Sequence, residues 1–193
     1  MDKKKALLFL FNGYCEFEIT TAISMLRNTH DLYTCALESS PCKSEAGLTT
    51  VPDFTINEVN SKDYDVLIMP GGDLQPIADA KELFDVVGEF AKSGKIVAAI
   101  CSGVYVLAKS GVLNNVPYTV TLTKEQRNFL GDFNEELFIY KPFIRHKNIL
   151  TAQGHAFVEF GIELNKMLRQ VSKESIEFYQ GERNGLMELD LIK

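Results

Sequence analysis

Short apolar runs alternate with amphipathic stretches along the chain. Ala6-Leu7-Leu8-Phe9-Leu10-Phe11 is a continuous apolar run, the pattern of a strand buried on both faces. Val66-Leu67-Ile68-Met69 and Ile96-Val97-Ala98-Ala99-Ile100 repeat it, and Leu32 to Leu37 predicts a further strand. Between them the period changes. Glu18 to Arg27 places Ile19, Ala22, Ile23 and Leu26 on one helical face, and Lys81 to Ser93 does the same with Leu83, Phe84, Val87 and Phe90. Val104 to Ser110 reads as a short helix closed by Gly111, and Lys124 to Phe129 as another. Ser44 to Val51 predicts an exposed ribbon and Tyr118 to Thr121 an extended segment. Leu137 to Arg145 has a looser pattern, read as a hairpin, and Asn148 to Ala152 is a strand. Ala156 to Val171 is a long amphipathic helix, which Lys173 to Gln180 extends or follows with another, and Gly181 to Lys193 is a polar tail. Strand–helix alternation argues an α/β fold, a mostly parallel sheet covered by helices on both faces.

Composition narrows the class. A chain of 193 residues with 46% hydrophobic and 24% charged residues has the make-up of one soluble globular domain, taken as residues 1–193. A net charge of −6 argues against a nucleic-acid partner, which calls for a basic face. No apolar run is long enough to span a membrane. The Lys3-Lys4-Lys5 start lacks the apolar length and cleavage site of a signal peptide, so a cytoplasmic location is expected. The four cysteines, Cys15, Cys35, Cys42 and Cys101, form no metal-ligand spacing, so no metal and no cofactor are expected and the thiols are read as free.

In a parallel sheet the chemistry sits at the carboxyl ends of the strands. Three such ends carry unusual residues: Asn12 to Glu18, Pro70 to Asp73, and Cys101 to Gly103. In Ala99-Ile100-Cys101-Ser102-Gly103 a buried strand runs straight into a helix with cysteine at the junction. Small residues stand two positions before and two after it. That is the nucleophile-elbow pattern with sulfur in place of oxygen, and a helix N-terminus there predicts a lowered thiol pKa. Pro70-Gly71-Gly72 exposes backbone amides, and the Gly72 and Ser102 N–H groups are expected to form an oxyanion hole. Of the two carboxylates after the first strand, Glu16 suits a solvated first helical turn. Glu18, followed by Ile19 and Thr20, is the candidate inward carboxyl. His30 and His146 are read as surface residues. His155 lies on the carboxyl-end rim, either as part of a helix N-cap region or as a substrate contact or substitute base.

These motifs, in this order, resemble the PfpI/ThiJ superfamily, cysteine-elbow relatives of the class I glutamine amidotransferases. The resemblance covers about residues 4 to 171 and rests on Phe17-Glu18, Pro70-Gly71-Gly72, Ala99 to Gly103 with Leu107-Ala108 and Gly111-Val112-Leu113, and Leu150 to Gly154. It implies a flavodoxin-like three-layer sandwich and a homodimer. It also implies a reactive Cys101 whose sulfur is hydrogen-bonded by a protonated Glu18. Many relatives place a histidine after the strand that follows the elbow helix. Here that segment is Val120-Thr121-Leu122-Thr123, without one, which counts against a peptidase dyad. The expected function is cysteine chemistry on a small-molecule electrophile of the amidase, hydrolase, glyoxalase or hydratase kind. The alternative is a non-catalytic redox sensor or oxidative-stress protein. A sensor module of a DNA-binding regulator is disfavoured by the short stretch after the last clear helix. Cys15, near the same strand end, is read as a secondary oxidation target.

Overall fold

The computed structural model describes residues 3–183 and 185. Its strands are β1 Lys4–Phe9, β2 His30–Ala36, β3 Cys42–Lys43, β4 Thr49–Thr50, β5 Phe54–Thr55, β6 Val66–Met69, β7 Ile96–Ile100, β8 Phe143–His146 and β9 Ile149–Ala152. The helices are α1 Phe17–Leu26, α2 Lys81–Lys92, α3 Val104–Lys109, α4 Lys124–Leu130, α5 Phe157–Leu168 and α6 Lys173–Gln180. Seven strands form one sheet in the order β5-β2-β1-β6-β7-β9-β8, parallel except for β8. This is the α/β flavodoxin-like layering expected from the alternation of periods.

The apolar runs sit where their pattern requires. Ala6, Leu7, Phe9, Val66 to Met69 and Val97 to Ile100 are fully buried, because parallel strands covered on both faces have no solvent side. Helices α1 and α5 pack together on one face, α2 and α3 on the other. Gly161 of α5 lies so close to α1 that an added Cβ would sit 2.8 Å from the Ala22 nitrogen. Asn165 reinforces the contact, donating to the Ala22 carbonyl at 3.2 Å. The chain leaves β1 for β2 on one side and returns to β6 on the other, so the crevice between β1 and β6 is the switch point where such sheets bind ligands.

Several expectations change in detail. The hairpin of the looser region is β8–β9, turning at Lys147 with φ 52°, and Leu137 instead ends a 3-10 turn. The long C-terminal pattern breaks after Leu168, where Arg169 is extended, and α6 begins anew with Ser172 as its N-cap. Edge strand β5 is too short to leave a periodic signal. His30 is not on the surface: it opens β2 and is 3% exposed, with Nδ1 paired to Thr29 Oγ1 at 2.9 Å. Its position at the start of a paired strand explains this, since register sets Lys4 beside it on β1. Phe157 is only partly buried and meets the exposed Phe17 edge-on, with ring centroids 5.7 Å apart. Most of the polar tail from Gly181 to Lys193 lies outside the described residues.

Candidate active site

Strand β7 ends at Ile100, and Cys101 to Gly103 form a 3-10 turn before α3. Cys101 takes φ 57°, a left-handed conformation that costs a side-chain-bearing residue of order 1–3 kcal/mol. The turn is that tight because the elbow lies against the β6 end. A Cβ on Gly103 would run into the Pro70 carbonyl group, 2.7 Å from its carbon. Gly103→Ala is therefore expected to destabilise by roughly 3 kcal/mol through overpacking against backbone. In a chain of this size that lowers Tm by about 6–12 °C, readable in a thermal melt.

Glu18 lies in the first turn of α1 and is 1% exposed. The helix aims it inward, under the β6 end, where Gly71 N–H donates to its Oε2 at 2.7 Å. Its carboxyl lies beside the Cys101 side chain, the two meeting over Gly71 and Gly154. Two glycines make room for this pair. A Cβ on Gly71 would lie 2.6 Å from Cys101 Cβ and 2.7 Å from Glu18 Oε2, and one on Gly154 would lie 3.0 Å from both Cys101 Sγ and Glu18 Oε1.

Burial pushes the Glu18 carboxyl above the ordinary range, against hydrogen bonds from Cys101 and Gly71. Burial, then the neighbouring Glu18, pushes the Cys101 thiol up to about 12; the Ser102 N–H and the Thr121 hydroxyl pull the other way. The lowered thiol pKa expected from the helix N-terminus is thus corrected. Helix α3 has only six residues and starts beyond the 3-10 turn, so its dipole is weak at the sulfur. Burial and the neighbouring carboxyl thus favour the protonated thiol. Thiol beside carboxylate and thiolate beside carboxylic acid are two placements of the same proton. Alkylation by iodoacetamide is expected to reach half-buried Cys101 ahead of fully buried Cys35 and Cys42. Because the thiol pKa is raised, the Cys101 rate should rise about tenfold per pH unit from pH 7 to 9, following the thiolate fraction. A plateau near pH 7, read by mass spectrometry, would mean a resting thiolate.

The expected oxyanion hole needs a correction. Gly72 has φ 137° and reaches over Tyr14, but its N–H donates to Ser102 Oγ at 2.9 Å, and the same hydroxyl donates back to Gly72 O at 2.8 Å. The Ser102 side chain, expected to matter only through its backbone N–H, thus occupies one of the two amides. The other, Ser102 N–H, adjoins the Cys101 sulfur and favours its charged form.

Thr121 occupies the segment where relatives carry histidine. Its hydroxyl, near the Cys101 thiol, accepts from Gly154 N–H at 2.8 Å and donates to Gln153 Oε1 at 2.9 Å. Gln153 is buried and ties this strand end to Thr119 Oγ1 at 2.6 Å and to the Val120 carbonyl at 2.9 Å. Buried Arg127 secures the rest of the segment, bidentate to Glu135 at 2.6 and 2.8 Å. The Gln153-Gly154 pair was visible in the sequence as a motif, but its partner Thr121 was not. His155 is exposed in the turn just after Gly154. It forms no side-chain hydrogen bond among the described residues. On the opposite wall Cys15, buried ahead of α1, donates its thiol to Glu45 Oε2 at 2.8 Å; Glu45, on the β3–β4 ribbon, carried no sequence signal.

Among the described residues no group of three or more His, Cys, Asp or Glu side chains is placed to hold a metal ion, and no helix is long and apolar enough to cross a membrane. The chain is similar to an uncharacterised protease, YdeA, from Bacillus subtilis, at 32% identity over 178 residues, covering 90% of this chain and 88% of that protein. A deglycase from Thermococcus kodakarensis is 26% identical over 121 residues, 62% of this chain and 73% of that one, and another relative is named a glyoxalase. Among solved structures, a thiJ/pfpI family protein from Bacillus anthracis superposes with a TM-score of 0.82 at 26% identity, covering 93% of this chain and 90% of that one. The DJ-1/PfpI family model matches residues 4–167, from the first strand through the helix that packs against α1, and the chain therefore belongs to the DJ-1/PfpI family.

Proposed function

We propose that the protein is an enzyme in which Cys101 attacks a small carbonyl or related electrophile and Glu18 takes the thiol proton. The observation that carries this reading is the Cys101–Glu18 pair packed over Gly71 and Gly154 at the carboxyl ends of the strands, with a left-handed cysteine and a buried carboxyl beside it. A buried carboxyl with a raised pKa is a competent proton acceptor for a thiol, because transfer within the pair leaves its total charge unchanged. The sulfur adds to the electrophilic carbon as its proton passes to Glu18, and the protonated Glu18 then returns it to the developing oxygen or the leaving group. The neighbouring Ser102 N–H steadies the sulfur as charge builds on it, and Thr121 can join only by releasing Gln153. No histidine is needed for this cycle. His155 serves at most as a rim contact, and Gly72 joins oxyanion binding only if Ser102 Oγ releases its N–H. Relatives named protease, deglycase and glyoxalase support an enzymatic reading without choosing among reactions. The proposal takes a small-molecule substrate, no added cofactor and a homodimer acting in the cytoplasm.

The test is a panel of methylglyoxal, small amides, isocyanides and peptides, assayed with wild type and Cys101→Ser. Turnover of one class that depends on the sulfur supports the reading. No turnover of any class, together with stoichiometric oxidation by peroxide, supports a redox sensor instead.

A further inference from the structure

The mechanism leaves one thiol and one carboxyl at the site unused. Cys15 is 8% exposed, and its sulfur donates to Glu45 Oε2 at 2.8 Å. Its backbone N–H donates to Gly71 O at 2.9 Å. Gly71 is also the residue against which Cys101 and Glu18 pack: a Cβ placed there would be 3.1 Å from Cys101 Sγ. Glu45 is held in place from the other side, its own N–H donating to Tyr14 O at 2.8 Å. Cys15 stands three residues before Glu18, just ahead of α1. The Cys15 backbone and the Cys101 side chain therefore meet at one glycine, and each thiol has a carboxyl beside it. The remaining cysteines do not share this arrangement: Cys35 is fully buried in β2, and Cys42 is buried in β3 beside the Ser40 carbonyl.

We propose that Cys15 is a resolving thiol for Cys101, converting an oxidised Cys101 into an intramolecular Cys15–Cys101 disulfide with Glu45 as the proton acceptor. The inference rests on Cys101 being the reactive thiol, and it names a hydroperoxide as oxidant. In the first step the Cys101 proton passes to Glu18 and the sulfur attacks one peroxide oxygen. The O–O bond breaks, the departing alkoxide or hydroxide takes the proton from Glu18, and Cys101 is left as a sulfenic acid. In the second step Glu45 takes the Cys15 proton and the Cys15 sulfur attacks Cys101 Sγ. The S–O bond breaks, and the hydroxide collects that proton and leaves as water. The two thiols are oxidised together by two electrons and the peroxide is reduced. Burial suits Cys15 to this role. It limits direct attack by peroxide from solvent, and a carboxylate already on the S–H supplies the base that a thiol of raised pKa requires. Closing the disulfide diverts Cys101 from irreversible sulfinic acid.

The experiment treats the reduced full chain with a small excess of hydrogen peroxide, blocks free thiols, and maps peptides by mass spectrometry. Wild type is expected to lose two hydrogens, to yield a linked peptide pair containing Cys15 and Cys101, and to recover both thiols with dithiothreitol. Cys15→Ser, checked for folding by circular dichroism, is expected to gain two oxygens at Cys101 under the same conditions. Glu45→Gln should slow disulfide closure by roughly tenfold or more while leaving the first oxidation in place. Wild-type Cys101 passing to sulfinic acid with Cys15 still alkylatable overturns the resolving role and leaves the reactive-cysteine reading standing. A Cys101 that resists peroxide while another cysteine oxidises overturns both. If Cys15→Ser does not fold, the wild-type peptide map alone decides.

Discussion

Cys101→Ser is expected to lower turnover by about 10³-fold or more on whichever electrophile the wild type accepts, a loss typical of removing a nucleophile from a cooperating group. The change swaps one atom in a half-buried side chain, so the fold has little reason to respond. The left-handed backbone and the packing against Glu18 can both be kept by a hydroxyl. A hydroxyl, however, is far less acidic than a thiol, and Glu18 cannot pull its proton away at neutral pH. Activity lost together with a Tm within a few degrees of wild type is the expected pair of results. Retained turnover would show that the sulfur is a structural thiol and that the chemistry belongs elsewhere.

Glu18→Leu is expected to reduce turnover by about 10²–10⁴-fold, the range for losing a general base, whereas His155→Ala should change it only a few-fold. Leucine removes the proton acceptor and also strands the Gly71 N–H, whose acceptor is Glu18 Oε2. A buried amide without a partner costs about 1–3 kcal/mol, so some loss of stability accompanies the loss of activity. Glu18→Gln separates the two effects. It keeps an oxygen for Gly71 but cannot take the thiol proton, so kcat should fall nearly as far as in Glu18→Leu while Tm stays closer to wild type. His155 is exposed, and the turn after β9 accounts for its position. A large His155→Ala effect in a folded protein would return the base role to histidine and remove it from Glu18.

Much of this architecture is written in local pattern. Three apolar runs without polar interruptions could only be strands covered on both sides, and β1, β6 and β7 follow them, while the more polar run from Leu32 to Leu37 falls in the half-exposed β2. The elbow was legible for the same reason. A cysteine between a buried strand and a helix, with Gly103 just after it, is a backbone constraint expressed in residue size, and the left-handed Cys101 satisfies it. Glu18 was legible as the better inward candidate of the two carboxylates, and its pairing with Cys101 came from the family resemblance.

What the sequence by itself determined is therefore the order and type of the main elements, the strand ends that carry unusual residues, and the elbow at Cys101. These follow from periodicity and from the small set of residues a strained turn accepts. Only the tertiary structure decided the rest. It brought Thr121 to the sulfur through Gln153, placed Glu45 against Cys15 from a ribbon thirty residues away, and turned the Ser102 hydroxyl onto the Gly72 amide. It buried His30, and it raised the thiol pKa where a helix terminus alone would lower it. Each of these depends on a contact between segments distant in the chain. Desolvation and hydrogen-bond partnership are properties of the packed neighbourhood, and no spacing of residues along one strand or helix encodes them.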